Sequence, residues 1–212
     1  MRLRIAGINH NDILGPQRLF AWYEELKSVE YQSPSFVAVE YDELLFRQIK
    51  MQRPTMRRLV TERWPDTNDE ILLILENSLV YEGDLHEQVF LGVDTLWLDK
   101  GRIITDPTVI SEYARDRLLI YESFISSTST KLNMDDIISM CKAAWDHGAA
   151  PQRGGSQRDD QFSRAILDKI ATARSGWAIV IVGSCHCAMV DGSMVRLLMD
   201  QGIQCEVREL RP

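Results

Sequence analysis

The sequence predicts an α/β fold: a central, mostly parallel sheet flanked by helices, with a helical excursion between the third and fourth strands. Two observations carry this. Short apolar runs alternate with segments of helical periodicity at both ends of the chain, an order that favours parallel strands joined by right-handed crossovers. The segment from Asp106 to about Arg174 holds no convincing strand, and its runs Val109–Phe124, Met134–Trp145 and Arg158–Ile170 are amphipathic.

Arg2–Ile8 is the first strand, and the helix after it starts near Pro16, a residue suited to a first helical turn, with Leu19, Phe20, Trp22, Tyr23 and Leu26 at helical spacing. Ser35–Glu40 is the second strand. Pro54 and Pro65 divide the helical pattern from Asp42 to Phe90 into three pieces. Val93–Asp99 forms the third strand, and Ile179–Val182 the core of the fourth. A helix over 191–200 stops before Gly202, and Ile203–Val207 closes the series as the fifth. Trp22, Tyr23, Trp97, Tyr113 and Tyr121 are expected in the core.

With 212 residues, 45% hydrophobic and 26% charged, the chain is expected to form one globular domain over 1–212. A net charge of -7 argues against a nucleic-acid footprint, which needs concentrated Lys and Arg. Its basic cluster, Arg47 to Arg63, reads as a solvated helix face. No apolar run approaches a membrane span, and the first residues are too short for a signal-peptide core. Of the cysteines, Cys185 and Cys187 flank His186 while Cys141 and Cys205 stand apart, unlike a disulfide framework. A cytoplasmic protein with reduced thiols is expected.

Chemistry concentrates at strand ends. Ile5-Ala6-Gly7-Ile8-Asn9-His10 and Val180-Ile181-Val182-Gly183-Ser184-Cys185-His186 each run from an apolar strand into Gly-x-x-His. Composition predicts about 0.2 such tetrapeptides in a chain of this size. A third, Gly83-Asp84-Leu85-His86, lacks the leading strand, so His86 and His147 are read as surface or capping residues. In open α/β sheets ligands bind beyond the carboxyl ends of the strands. Glu40 at the end of the second strand would join His10 and His186 there, two imidazoles and a carboxylate suited to a divalent metal with open positions. Asp99 should lie near the same edge. The loop Pro151–Gln157 is a candidate lid leading into Arg158. Cys185 reads as a buried, inert thiol, because neighbours on an extended strand point to opposite faces. There is neither a Gly-rich phosphate loop nor a serine elbow.

Gly7-Ile8-Asn9-His10, Pro34 to Asp42 followed by Arg47, Val93–Asp99, Gln157-Arg158-Asp159 and Val182–His186 resemble, in that order, the TraB/PrgY/GumN and TIKI superfamily. The resemblance implies an α/β metal-dependent protease favouring manganese or cobalt, and the donor set itself admits iron or zinc as further choices. His10, Glu40 and His186 would then be metal or catalytic residues, with Glu40 as ligand or general base, and Arg158 and Asp159 would lie at the site. Departures are the loose acidic signature Glu82–His86, which leaves a fourth ligand unassigned, and the cysteines around His186. The function expected is metal-dependent hydrolysis of a peptide or ester bond in a peptide or small-molecule substrate. The alternative is a non-catalytic protein that holds a small ligand or signalling peptide in the same cleft.

Overall fold

A computed structural model describes residues 1–99, 107–125, 129–147, 156–173 and 176–212. Its sheet has the strand order β3-β2-β4-β1-β5, formed by β1 (Arg2–Ile8), β2 (Val37–Val39), β3 (Thr95–Trp97), β4 (Trp177–Gly183) and β5 (Gln204–Glu209). Every pairing is parallel. The chain moves outward from β1 to β2 and β3, then returns to insert β4 between β1 and β2. That reversal of strand order is where an open α/β sheet opens a crevice at its carboxyl edge.

All seven residues of β4 are buried, as a strand covered on both faces requires. One face packs Ala6, Ile8, Val37, Val39, Ile179 and Ile181 against Leu19, Trp22, Tyr23 and Leu26 of α1 (Gly15–Val29). At roughly 1.5–3 kcal/mol for each large apolar side chain removed from water, this stripe explains the docking of α1 better than its unassisted cap does. The opposite face packs Leu3, Ile5, Ala38, Val180 and Val182 against α7 (Gln157–Thr172) and α8 (Met194–Asp200), through Phe162, Ile166, Val195 and Leu198.

The remaining helices are α2 (Glu43–Lys50), α3 (Arg53–Arg63), α4 (Asp69–Asn77), α5 (Pro107–Ser123) and α6 (Met134–His147). Of these, α3 to α6 share a core of their own, with Met56, Trp64, Leu75, Tyr121 and Met140. Ile13, just after β1, belongs to that core and ties it to the sheet. The helical excursion between β3 and β4 is therefore present as expected, and the three pieces divided by Pro54 and Pro65 are α2, α3 and α4. Among the described residues no helix is long and apolar enough to cross a membrane.

His86 corrects the sequence reading. It lies in a 3-10 turn, Leu85–Gln88, fully buried, with Nε2 3.2 Å from the Thr95 hydroxyl. Burial lowers its pKa and favours the neutral ring. The second strand is also shorter than expected, so that Glu40 stands just beyond β2.

Candidate functional site

Three parallel strands deliver one residue each to the carboxyl edge. After β1 the chain turns through Asn9 to Asp12, with the Asn9 amide donating to the Ala144 carbonyl at 2.7 Å. Asp12, 1% exposed, accepts from the Leu14 amide, Arg18 and the Trp145 indole, pinning this turn to α1 and α6. The buried Arg117 guanidinium donates to the His10 carbonyl, to Asn11 and to the Tyr113 hydroxyl. The backbone on either side of the His10 ring is thus fixed from several directions.

His10 Nδ1 lies 3.0 Å from Glu82 Oε1, and its Nε2 lies 3.3 Å from Glu40 Oε2. Glu82 is buried and comes from a strained turn: Val80 has φ of +36°, an outlier for a β-branched residue. Arg53 donates to the Leu79 and Val80 carbonyls, and the Tyr81 amide donates to Glu82 Oε2 at 2.8 Å. These bonds hold a backbone conformation that costs energy and that places the carboxylate behind the imidazole.

The second arm starts where β4 becomes a 3-10 turn, Ser184–Cys187. His186 Nδ1 lies 2.9 Å from Asp159 Oδ1, and its Nε2 lies 3.6 Å from Glu40 Oε1. Its ring packs on Phe162, with centroids 5.1 Å apart. Asp159 is fixed by a capping box with Ser156 at the start of α7, and its Oδ1 also accepts from the Met194 amide at 3.0 Å. The residue before it, Arg158, donates through Nη2 to Glu40 Oε1 at 2.8 Å and to Asp99 Oδ2 at 3.0 Å, while its guanidinium lies over Phe162.

Glu40 is the hub. Its two oxygens face the two histidines, and Oε2 also accepts the Gly183 amide. Each histidine has the same construction: Nδ1 against a buried carboxylate, Nε2 turned to Glu40. A carboxylate at Nδ1 holds the proton there and leaves the Nε2 lone pair forward, the arrangement found behind metal-binding imidazoles. A forward lone pair facing a carboxylate is unfavourable unless a cation comes between them. Here that cation is a proton on each ring or a metal ion.

In the protonated state burial works to lower the histidine pKa values but loses to the acidic neighbours. His10 is pushed up to about 10 by its bonds to Glu40 and Glu82 and by their charges. His186 rises to about 11 through Cys185, Glu40 and Asp159. Burial raises the Glu40 pKa, but the two imidazoliums outweigh it and hold the carboxyl well below its ordinary range.

The residue types are those that take up a divalent cation, and Gly183 marks where they approach one another. A Cβ on Gly183 would lie 3.1 Å from Glu40 Oε2, 3.5 Å from His10 Nε2 and 3.6 Å from Cys185 Sγ. As the side chains stand, no group of three or more His, Cys, Asp and Glu among the described residues is posed to hold a metal ion. Glu40 Oε2 lies at hydrogen-bonding range of His10 Nε2, and Glu40 Oε1 lies 3.6 Å from His186 Nε2. The residue types suit a divalent cation, but the side chains are not spaced to hold one.

His10, Glu40, His186, Arg158 and Asp159 are brought together as expected, and Asp99 joins them through Arg158. Cys185 departs from expectation. Its thiol is exposed and at the site, because residues 184–187 form a 3-10 turn with about three residues per turn, not an extended strand. Cys187 is the buried thiol, its pKa raised by burial. Arg117 carries no motif of its own in the sequence, and Glu82 belongs only to a loose acidic match. Of the candidate lid, residues 151–155 lie outside the described residues; Ser156 caps α7 and Gln157 begins it. A cavity of about 680 Å³ between α7 and Leu96 and Leu98, and another of about 480 Å³ around Phe20, Arg53 and Tyr81, are both lined by residues other than His10, Glu40 and His186.

Compared with family models, with curated proteins and with solved structures, the chain gives no match.

Proposed function

We propose that the protein is a metal-dependent hydrolase of the TIKI/TraB type, acting on a peptide or ester bond of a peptide or small-molecule substrate. The observation that carries this reading is the paired construction at Glu40: two imidazoles, each backed at Nδ1 by a buried carboxylate, turn Nε2 toward the two oxygens of the same residue. His10, Glu40 and His186 would hold the ion, with manganese or cobalt favoured and iron or zinc as further choices. When bound, such an ion polarises a carbonyl and lowers the pKa of water to about 7.

The remaining steps belong to the chain. Glu40 accepts a proton from the attacking water or stays a ligand. Arg158, 34% exposed in its side chain, already touches Glu40 and offers a guanidinium for negative charge that develops on the substrate oxygen. Glu82 and Asp159 hold the ring protons at Nδ1, and the Gly183 amide fixes the Glu40 rotamer. Four free cysteines are consistent with a reducing, cytosolic setting.

The test is hydrolysis of a panel of peptides and esters by the purified protein. Activity should vanish on chelation and return with manganese or cobalt, and His186→Ala should lose metal while keeping its fold. Activity indifferent to both would eliminate the metal mechanism. Tight ligand binding without turnover under any metal would favour the binding-protein alternative.

A further inference from the structure

The cavity of about 480 Å³ between α1, α3 and the turn after α4 takes no part in the chemistry above. Its size is that of a small-molecule site. Phe20 and Leu85 give it an apolar side, and Gln17, Arg53 and Tyr81 bring hydrogen-bond donors to its wall. Tyr81 is 2% exposed, and its hydroxyl is buried with no hydrogen-bond partner among the described residues. A buried hydroxyl left unpaired destabilises a fold unless something completes it. This one lies against Gly15, where a Cβ would collide with it, at the start of α1. There the Gly15 and Arg18 amides donate to the Asp12 and Leu14 carbonyls, but the Gln17 amide has no partner among the described residues. The helix has neither a side-chain cap nor an acidic residue in its first turn, a start that favours an anion.

Among the described residues Arg53 has no counter-ion of its own. Its guanidinium donates to the Leu79 and Val80 carbonyls. The carboxylates whose charges reach it are paired elsewhere, Asp84 with Lys50, Glu76 with Arg57 and Glu82 with His10. We propose that this cavity binds a small organic monocarboxylate, its acid on Arg53 and the Tyr81 hydroxyl and its apolar body against Phe20 and Leu85. One guanidinium balances one negative charge, and Asp84 in the cavity wall disfavours a second. Because Arg53 also ties down the turn that carries Glu82, an occupant fastens the carboxylate behind His10 without entering the site itself. The binding requires no metal ion, so it stands apart from the hydrolytic reading.

The probe is 3-phenylpropionate, titrated into the purified full chain in the presence of chelator and followed by amide nuclear magnetic resonance. Saturable shifts at Gln17, Phe20 and Leu85 are expected. The neutral 3-phenylpropanamide should bind on the order of 10–100-fold more weakly, since it loses the charge-assisted bond to Arg53. Phenyl phosphate, which carries a second charge, should also bind more weakly than the carboxylate. Tyr81→Phe removes only the hydroxyl. It should weaken 3-phenylpropionate by about 3–10-fold and leave the melting temperature of the unliganded protein unchanged or raised, because no bond is lost with the oxygen. Phe20 is exposed, so Phe20→Glu should fold normally and abolish binding by placing a like charge in the wall. Shifts that fail to saturate or fall elsewhere, or an amide that binds as well as the acid, overturn the proposal. So does a Tyr81→Phe protein that binds normally or melts lower, which would give the hydroxyl a purely structural role. Phenyl phosphate bound more tightly than the carboxylate overturns the choice of ligand class. None of these outcomes bears on metal-dependent hydrolysis, which is measured without the probe.

Discussion

The two Gly-x-x-His arms are alike in sequence and unlike in how firmly they are held. In the first, the His10 side chain is 29% exposed and its backing carboxylate comes from a strained turn tied down by Arg53. In the second, the His186 side chain is 6% exposed, lies on Phe162, and is backed by an aspartate that also caps α7 and accepts the first amide of α8. The second arm is welded into the sheet's helical cover; the first is an insertion braced against the helical excursion. One imidazole is preset and the other has room to adjust, with Glu40 coupling them.

Removing the coupling should have the largest effect. Glu40→Gln keeps the size but loses the charge that faces both rings, and it should lower hydrolytic turnover by about 10²–10⁴-fold, the range for loss of a general base. Metal analysis alongside the kinetics separates its two roles. Full metal content with lost turnover identifies a base, and lost metal identifies a ligand.

Next come the backing carboxylates, which should differ. Glu82→Gln and Asp159→Asn should each cost about 10–100-fold in metal affinity, since either amide can present an N–H to Nδ1 and reverse the imidazole tautomer. Asp159→Asn should also cost stability, about 1–3 kcal/mol, because the same carboxylate satisfies Ser156 and the Met194 amide. Urea unfolding of both variants checks the contrast. Equal stability losses would mean that the two arms are equally integral to the fold.

Proton content gives a third comparison. In the metal-free protein both histidines have folded pKa values above the ordinary 6.5, so their stabilising effect is fully present below pH 6.5 and is lost as pH rises toward about 10 and 11. Glu40 has a lowered pKa, so its effect is present above about 4.5 and is lost as pH falls through the lowered value. The His10–Glu40 and His186–Glu40 pairs are seen here from both partners and count once. Metal-free stability should therefore be greatest between about pH 4.5 and 6.5 and decline above it. His10→Gln should flatten that decline, and unfolding midpoints across a pH series measure it.

Much of this architecture was legible in the sequence because it rests on local signals. Strands that end in glycine and a polar residue, Pro16 in a first helical turn, Pro54 and Pro65 dividing the helical pattern, and Gly202 after a helix depend on neighbours in the chain. The fully buried β4 announced itself as an unbroken apolar run. His10, Glu40 and His186 were legible because parallel strands bring their ends to one edge. Glu82 and Arg117 were not, since each acts through a partner 72 or 107 residues away, Glu82 within only a loose acidic match and Arg117 with no local pattern of its own. Cys185 was misread for a different reason: its orientation depends on where β4 gives way to the 3-10 turn, and a strand boundary misplaced by one or two residues reverses which side chains face the site.

The smallest expected effect comes from the glycines, and it separates their purposes. In the sheet Gly7 pairs with Val182 and Ile8 with Gly183, so the two motifs are offset by one residue. Each glycine makes room for the other arm. A Cβ on Gly7 would lie 3.0 Å from Cys187 Sγ and 3.3 Å from the Ser184 Cα, whereas one on Gly183 would meet Glu40 and His10. Neither position has a positive φ in the described backbone, so close approach is the constraint. Gly7→Ala must move the backbone of the 3-10 turn and should cost about 1–3 kcal/mol, the usual range for overpacking. Gly183→Ala meets side-chain tips that can give way, so its stability cost should be lower. Its effect should appear instead as weakened metal uptake, because the methyl group occupies the point that Glu40, His10 and Cys185 approach. Calorimetric melting of the metal-free variants and a cobalt titration of each measure the two effects separately. A Gly183→Ala protein that melts lower than Gly7→Ala yet binds cobalt normally would show that this glycine serves the packing of the strand rather than the site.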